Sequence, residues 1–304
     1  MAEASRRVWR PGRPVDLAAT LLPLRRGAGD PALRVQAGSS FWWATRTSEG
    51  PGTLSLRVDS GEVEALAWGP GAAWLLERVP RLLGAEDDWS SLDLSAYPWL
   101  AEVLHRHPGL RLPRTGRVLE AILAAAIEQR VTGPDARRSW RGLLDRFGEP
   151  APGPMPGLRV PPDAGTLLEI PAWDWHRLGV ESARQRPIRA AATVAGRLEQ
   201  CAELSAVQAS ARLRALPGVG IWTAAETAQR ALGDPDAVSV GDYHIHDVVV
   251  HALTGRPRGT DEQMLALLAP WAGQRQRVVR LIEIAGVRKP RFGPRFAPVD
   301  IRAI

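Results

Sequence analysis

The chain has 304 residues, 45% hydrophobic and 24% charged, which is enough for one large domain or two smaller ones with cores of their own. Its single cysteine, Cys201, excludes an internal disulfide, a cysteine-based zinc site and a cysteine-ligated iron–sulfur cluster. Of 39 basic residues only Lys289 is a lysine, so Schiff-base chemistry through a core lysine is nearly excluded, while the formal charge of +6 suits a polyanion as well as a solvated arginine surface.

A helical pattern covers about Val15 to Arg26 and ends at Gly27, with Val15, Leu17, Leu21, Leu22 and Leu24 on one side. Phe41-Trp42-Trp43 marks a strand. Alternation at Leu54, Leu56 and Val58 marks a second, and Val63 to Trp68 its hairpin partner, with Gly61-Glu62 between them. Gly69-Pro70-Gly71 breaks to a helix near Ala72–Leu83. A helix, an antiparallel sheet and a second helix make a small α+β unit with one face covered.

From Leu94 the pattern is helical. Arg117 to Val131 is apolar and alanine-rich, and Pro134 opens a helix that runs to Phe147. The Pro/Gly stretch from Glu149 to Pro162 reads as a loop. Helical patterns then cover about 181–200, 206–216, 221–232, 243–253, 261–269 and 274–285, with Thr260 and Gln263 forming a capping box. The tail from Val287 reads as irregular. No apolar run approaches the ~18 residues of a membrane span and no signal peptide opens the chain, so a cytoplasmic setting is expected.

The chemistry concentrates between Leu213 and Thr254. Leu216-Pro217-Gly218-Val219-Gly220-Ile221-Trp222-Thr223-Ala224 lies between two helical patterns. Its glycines allow close approach of backbone to another molecule, and the free N–H groups of the helix that follows suit one phosphate. Such contacts position a protein on DNA without reading sequence; a plain helical hairpin explains the glycines equally well. Twenty-two residues after Gly220, Asp242 follows Val240-Gly241 just ahead of another helix, where a capping role and a catalytic one are both open. His244, His246, Asp247 and His251 lack a convergent metal-ligand spacing, since positions two apart on a helix face different ways.

Together these residues resemble the helix-hairpin-helix DNA glycosylase superfamily (HhH-GPD), and within it the DNA-3-methyladenine glycosylase II branch. The likeness extends to Glu128-Gln129-Arg130-Val131, Arg146-Phe147-Gly148-Glu149-Pro150, Leu178-Gly179-Val180 with Ala183-Arg184, and Trp271 with Arg275. It implies an N-terminal TBP-like antiparallel sheet with helices over residues 1–92, followed by an all-α catalytic domain over 93–304. It also implies a monofunctional glycosylase that flips a damaged, alkylated base out of double-stranded DNA and hydrolyses its N-glycosidic bond in base excision repair.

By that resemblance Asp242 is the catalytic carboxylate. Pro217, Gly218, Val219, Gly220, Thr223, Gln129 and Arg130 contact DNA, and Trp222, Glu226 and Trp271 line the base pocket. No side chain is expected to bind a metal and no cofactor is implied, although a monovalent cation can bridge the hairpin carbonyls to a phosphate. A monomer associated with the nucleoid is expected. Trp222 occupies the position at which lyases of the superfamily carry lysine, which agrees with the lysine count. Three positions depart from the branch: Glu226 replaces a pocket aromatic, Arg130 an apolar wedge, and Pro23 an aromatic on the first helix. The competing reading is a non-catalytic DNA-binding or damage-sensing protein that keeps the hairpin fold.

Overall fold

A computed structural model describes residues 3–36 and 40–290. The N-terminal part is a five-stranded, fully antiparallel sheet made of β1 (Ser5–Trp9), β2 (Leu33–Gln36), β3 (Ser40–Thr47), β4 (Gly50–Asp59) and β5 (Glu62–Trp68), in the order β1-β5-β4-β3-β2. Alternation places Leu54 and Leu56 of β4 with Val63, Ala65 and Ala67 of β5 on the buried face. Helices α1 (Leu17–Leu21) and α2 (Ala72–Leu82) cover that face, burying Leu17, Leu21, Leu75 and Val79 among them.

The expected helix from Val15 to Arg26 is shorter than its apolar pattern. It ends at Leu21 and tightens into a 3₁₀ turn over Leu22–Leu24, because Pro23 has no N–H to continue the ladder. The β4–β5 turn also falls one residue earlier than expected, at Ser60-Gly61, where both residues have positive φ (49° and 81°). That is the geometry of a two-residue hairpin turn whose twist matches the flanking strands.

The helical part contains α3 (Pro98–Arg106), α4 (Val118–Glu128), α5 (Gly133–Phe147), α6 (Ala164–Glu169), α7 (Ala172–Arg177), α8 (Ser182–Thr193), α9 (Ala195–Glu199), α10 (Ala206–Arg214), α11 (Ile221–Thr227), α12 (Ile245–Thr254), α13 (Asp261–Leu268) and α14 (Arg275–Ile284). The stretch expected as a loop after Phe147 carries a short antiparallel pair, β6 (Glu149–Pro150) and β7 (Arg159–Val160). It closes the second face of the sheet: Leu158 and Val160 pack with Ala44, and Trp42 lies against this group.

Two helical cores result. One surrounds α4, which is buried along almost its whole length from Val118 to Ile127 and packs against α5, α8 and α11. Its alanines at 121, 124, 125 and 126 let the neighbouring backbones approach, as an all-round apolar helix in a core requires. The other joins α3, α12, α13 and α14 through Leu100, Val249, Met264, Leu268 and Val278. Val219 and Ala224 belong to the first core, Val238 to the second. The segment from 219 to 245 therefore spans the seam between them. Among the described residues no helix is long and apolar enough to cross a membrane.

Glu120, in the first turn of α4, is half-buried and meets the sheet. Thr45 Oγ1 donates to its Oε2 at 2.5 Å. Burial pushes its carboxyl up to about 7, against the opposing pull of the Thr45 hydroxyl and Arg117.

Candidate active site

The hairpin is built by α10, the turn 215–220 and α11. Val219 N–H closes the turn on the Leu216 carbonyl at 3.0 Å. Gly218 has φ +85°, and a Cβ there would stand 2.8 Å from Pro187 Cδ on α8, so both conformation and space require glycine. Gly220 is extended, exposed and free of neighbours within 4 Å of a Cβ position. As the N-cap of α11 it offers no side-chain bond, which leaves the first N–H groups open to an outside acceptor.

Gln129, the C-cap residue of α4, fixes this turn from behind. Its Nε2 donates to the Gly218 carbonyl at 3.1 Å and to Thr223 Oγ1 at 2.8 Å. Thr223 is only 2% exposed, so it is an internal strut and its side chain does not reach the surface expected to meet DNA. Arg130, the next residue, is exposed and sits at φ +53°, in the left-handed region. The buried helix thus ends on a bonded glutamine and an outward arginine beside the hairpin.

Asp242 directly follows Gly241, whose φ of +86° would strain any side chain and whose N–H donates to Asp261 Oδ2 at 2.9 Å. Asp242 Oδ1 accepts from the N–H groups of His244 (2.7 Å) and Ile245 (3.0 Å) at the start of α12. Its Oδ2 accepts from Trp222 Nε1 at 3.1 Å. The carboxylate is half-buried. Three donors occupy three of about four lone-pair sites, leaving an acceptor position and a fixed negative charge on the side shared with the indole.

Glu226, one helical turn beyond Trp222, is not free to face an incoming base. Its Oε2 accepts from Arg230 Nη1 at 2.7 Å and its Oε1 from Ser239 Oγ at 2.5 Å. The side chains of Glu226 and Arg230 are 12% and 17% exposed. Burial disfavours charge on Arg230, but Glu226, Glu128 and Glu283 together outweigh it and hold the guanidinium above its ordinary range. Arg230 Nε also donates to the Pro23 carbonyl at 3.1 Å, which ties in the 3₁₀ turn after α1.

Trp271, expected at the pocket, lies in the second core at 6% exposure. Its Nε1 donates to the Asp93 carbonyl at 2.5 Å and its ring packs on Tyr97 with centroids 5.6 Å apart. Arg275 is bonded to Asp236 through Nε at 2.7 Å. His246 Nδ1 meets the Asp242 carbonyl at 2.9 Å. Lys289 is ion-paired with Asp247. Among the described residues no group of three or more His, Cys, Asp and Glu side chains is placed to hold a metal.

The structure thus brings Gln129, Pro217–Gly220, Trp222 and Asp242 to one place, with Arg130 at its margin. Gln229, Arg230 and Ser239 join the site without having been singled out in the sequence. The i,i+4 spacing of Glu226 and Arg230 was the available signal for one of them; an ordinary serine in an extended segment gives none.

The fold is similar to that of solved DNA glycosylases. A 3-methyladenine DNA-glycosylase from Archaeoglobus fulgidus superposes with a TM-score of 0.74 at 16% identity, covering 91% of this chain and 97% of that one. An 8-oxoguanine glycosylase/lyase from Clostridium acetobutylicum, solved with double-stranded DNA, superposes with a TM-score of 0.71 at 13% identity, covering 94% and 97%. At these identities the likeness is one of fold, and it agrees with the α+β class read from the sequence. No protein-family model matches the chain. In sequence, 172 residues are 36% identical to a probable bifunctional transcriptional activator/DNA repair enzyme AlkA of Mycobacterium tuberculosis, in agreement with the resemblance to the 3-methyladenine glycosylase II branch. That match takes in 54% of this chain and 34% of the relative, so the chain spans about a third of the curated protein's length.

Proposed function

We propose that the protein is a monofunctional DNA glycosylase acting on alkylated bases in duplex DNA, with Asp242 as its catalytic carboxylate. The observation that carries this reading is the Asp242 side chain, oriented by two α12 amides and the Trp222 indole. It sits in the stretch that leads from a hairpin turn with open amides. A phosphate at the turn would place the flanking sugar near the carboxylate.

The reaction breaks the bond between C1′ and the base nitrogen. The bonding pair leaves with the base, and the sugar becomes oxocarbenium-like. The fixed charge of Asp242 stabilises that cation, and its remaining acceptor site can take a proton as water adds to C1′. Trp222 offers an indole face to the base, which favours a cationic alkylated ring by roughly 0.5–2 kcal/mol. A lyase step needs an amine nucleophile. The corresponding position is Trp222, and the Lys289 ammonium is committed to Asp247. Carbonyl oxygens keep a second lone pair, so a monovalent cation between the hairpin carbonyls and a phosphate fits the donors present.

In this reading residues 1–92 form the N-terminal unit and 93–304 the catalytic unit of a monomer. Arg130 replaces the flipped nucleotide in the stack. Trp271 has a packing role. The filled space around Glu226 favours the rival reading, a damage sensor without catalysis. Base release from methylated duplex DNA, compared for the wild type and Asp242→Asn, separates the two. The proposal expects release by the wild type and a loss of at least about 100-fold in the variant; equal release, or none from the wild type, overturns it.

A further inference from the structure

Three side chains on one face of the hairpin helix grip the segment that leads to Asp242. Trp222 bonds Asp242, Glu226 bonds Ser239, and Gln229 bonds both Ser239 Oγ (2.8 Å) and the Ala237 carbonyl (2.7 Å). Positions 222, 226 and 229 follow the i, i+4, i+7 spacing of a single helix face. Their partners run the opposite way along the chain, at 242, 239 and 237. The result is a ladder of three side-chain rungs between α11 and the segment 237–242.

The chain between the rungs at Ser239 and Asp242 is short and bonded to itself. Val240 N–H donates to the Val238 carbonyl at 2.9 Å and Asp242 N–H to the Ser239 carbonyl at 3.2 Å. A displacement of Ser239 is therefore passed directly to Asp242. The helix widens into a π turn over Ala228–Leu232, where Gln229 and Arg230 leave it. Such single-turn widenings recur where a helix presents functional side chains. Arg230 closes the assembly by bonding Glu226 and the Pro23 carbonyl.

We infer that Glu226, Ser239 and Gln229 are positioning residues, which set the height of Asp242 against the hairpin, and that Glu226 does not read the base. This rests on the glycosylase reading. Trp222 must turn its face to a base, and its rung to Asp242 is then the one at risk. The two lower rungs hold the 237–242 segment at the same distance from the phosphate-binding turn whatever the indole does. Glu226 has both carboxylate oxygens occupied by this task.

The test uses the full chain and duplex DNA methylated in vitro. Ser239→Ala removes the donor to Glu226 and the acceptor for Gln229 together; Ser239→Thr keeps the hydroxyl. The expected result for Ser239→Ala is a single-turnover release rate roughly 10- to 100-fold lower, the size of effect of a misplaced catalytic group. Affinity for a duplex with a tetrahydrofuran abasic-site analogue stays unchanged, and Ser239→Thr recovers the rate. Amide exchange supplies a readout besides activity: in Ser239→Ala the His244 and Ile245 N–H groups exchange faster, while those of α10 do not. Rate and affinity falling in step would show a general structural defect and overturn the inference. So would a silent Ser239→Ala alongside a Glu226→Gln variant with an altered choice of base. If the wild type releases no base, the glycosylase reading fails, and the exchange data alone decide the ladder, with unchanged protection at His244 and Ile245 overturning it.

Discussion

Trp222 Nε1 stands 3.1 Å from Asp242 Oδ2, so the side chain that the proposed function sets at the lysine position of lyases is itself a donor to the proposed catalytic carboxylate. The pair joins the two helical cores across their seam, since α11 packs in one and α12 in the other. An indole N–H can orient a carboxylate but cannot form an imine. In the proposed function the same residue thus supports Asp242 and closes the covalent route.

No covalent enzyme–DNA adduct is therefore expected when the wild type acts on methylated duplex in the presence of borohydride. The checks are gel mobility of trapped species and strand cleavage at abasic sites. A trapped adduct, or cleavage faster than that of the naked abasic duplex, would contradict the monofunctional reading.

Gly218→Ala should cripple the hairpin. An alanine at φ +85° carries a left-handed penalty of roughly 1–2 kcal/mol, and its methyl would stand 2.8 Å from Pro187 Cδ. Adding Pro187→Ala removes the steric part and leaves the conformational one. The double variant is expected to recover part of the lost DNA affinity and melting temperature. Full recovery, or none, would show that only one of the two causes operates.

The hairpin, the β4–β5 pair, α4 and the capping box at Thr260 were legible because each is written in local spacing or in turn chemistry. Ser205 and Gln208 form a second capping box that follows the same rule. The edge strand β1 was not legible: Ser5-Arg6-Arg7-Val8-Trp9 has little apolar alternation and is held by pairing with β5. Trp271 and Thr223 looked outward from their motif positions, yet packing decided otherwise. The indole of Trp271 finds its acceptor at Asp93, 178 residues away, and Thr223 is pinned by Gln129 from another helix. Ser239 has no signature at all, because its role depends on which helix face it meets.

Stability should depend on pH through Glu120. Its folded carboxyl titrates near 7 rather than at the ordinary 4.5, with burial as the leading cause and Arg117 and Asp30 as its charged neighbours. The folded state then binds the proton more tightly than the unfolded one. This contribution is complete below pH 4.5, is lost as pH rises toward 7, and is flat above that. The loss is at most about 3 kcal/mol for a carboxyl shifted this far, less the screening that its partial exposure allows. Melting curves of the wild type and Glu120→Gln from pH 5 to 8 check it: the wild type should fall relative to the variant by on the order of 5 °C. Parallel curves would remove Glu120 as the cause.

Arg130 offers the sharpest separation of stability from activity. Its φ of +53° is a left-handed conformation imposed at the end of α4, and strain of this kind tends to persist where it serves a site. Arg130→Gly relieves that strain, while the added freedom of glycine in the unfolded chain offsets about 0.5–1 kcal/mol of the gain. The melting temperature is therefore expected to hold or rise slightly. If the guanidinium replaces the flipped nucleotide, as proposed, removing it should slow base release, with the greater loss on well-paired duplex than on DNA carrying the same lesion opposite a mismatch, where extrusion costs less. Release rates on the two substrates check it. An equal loss on both would assign Arg130 to phosphate contact alone, and no loss would leave its conformation without a role in flipping.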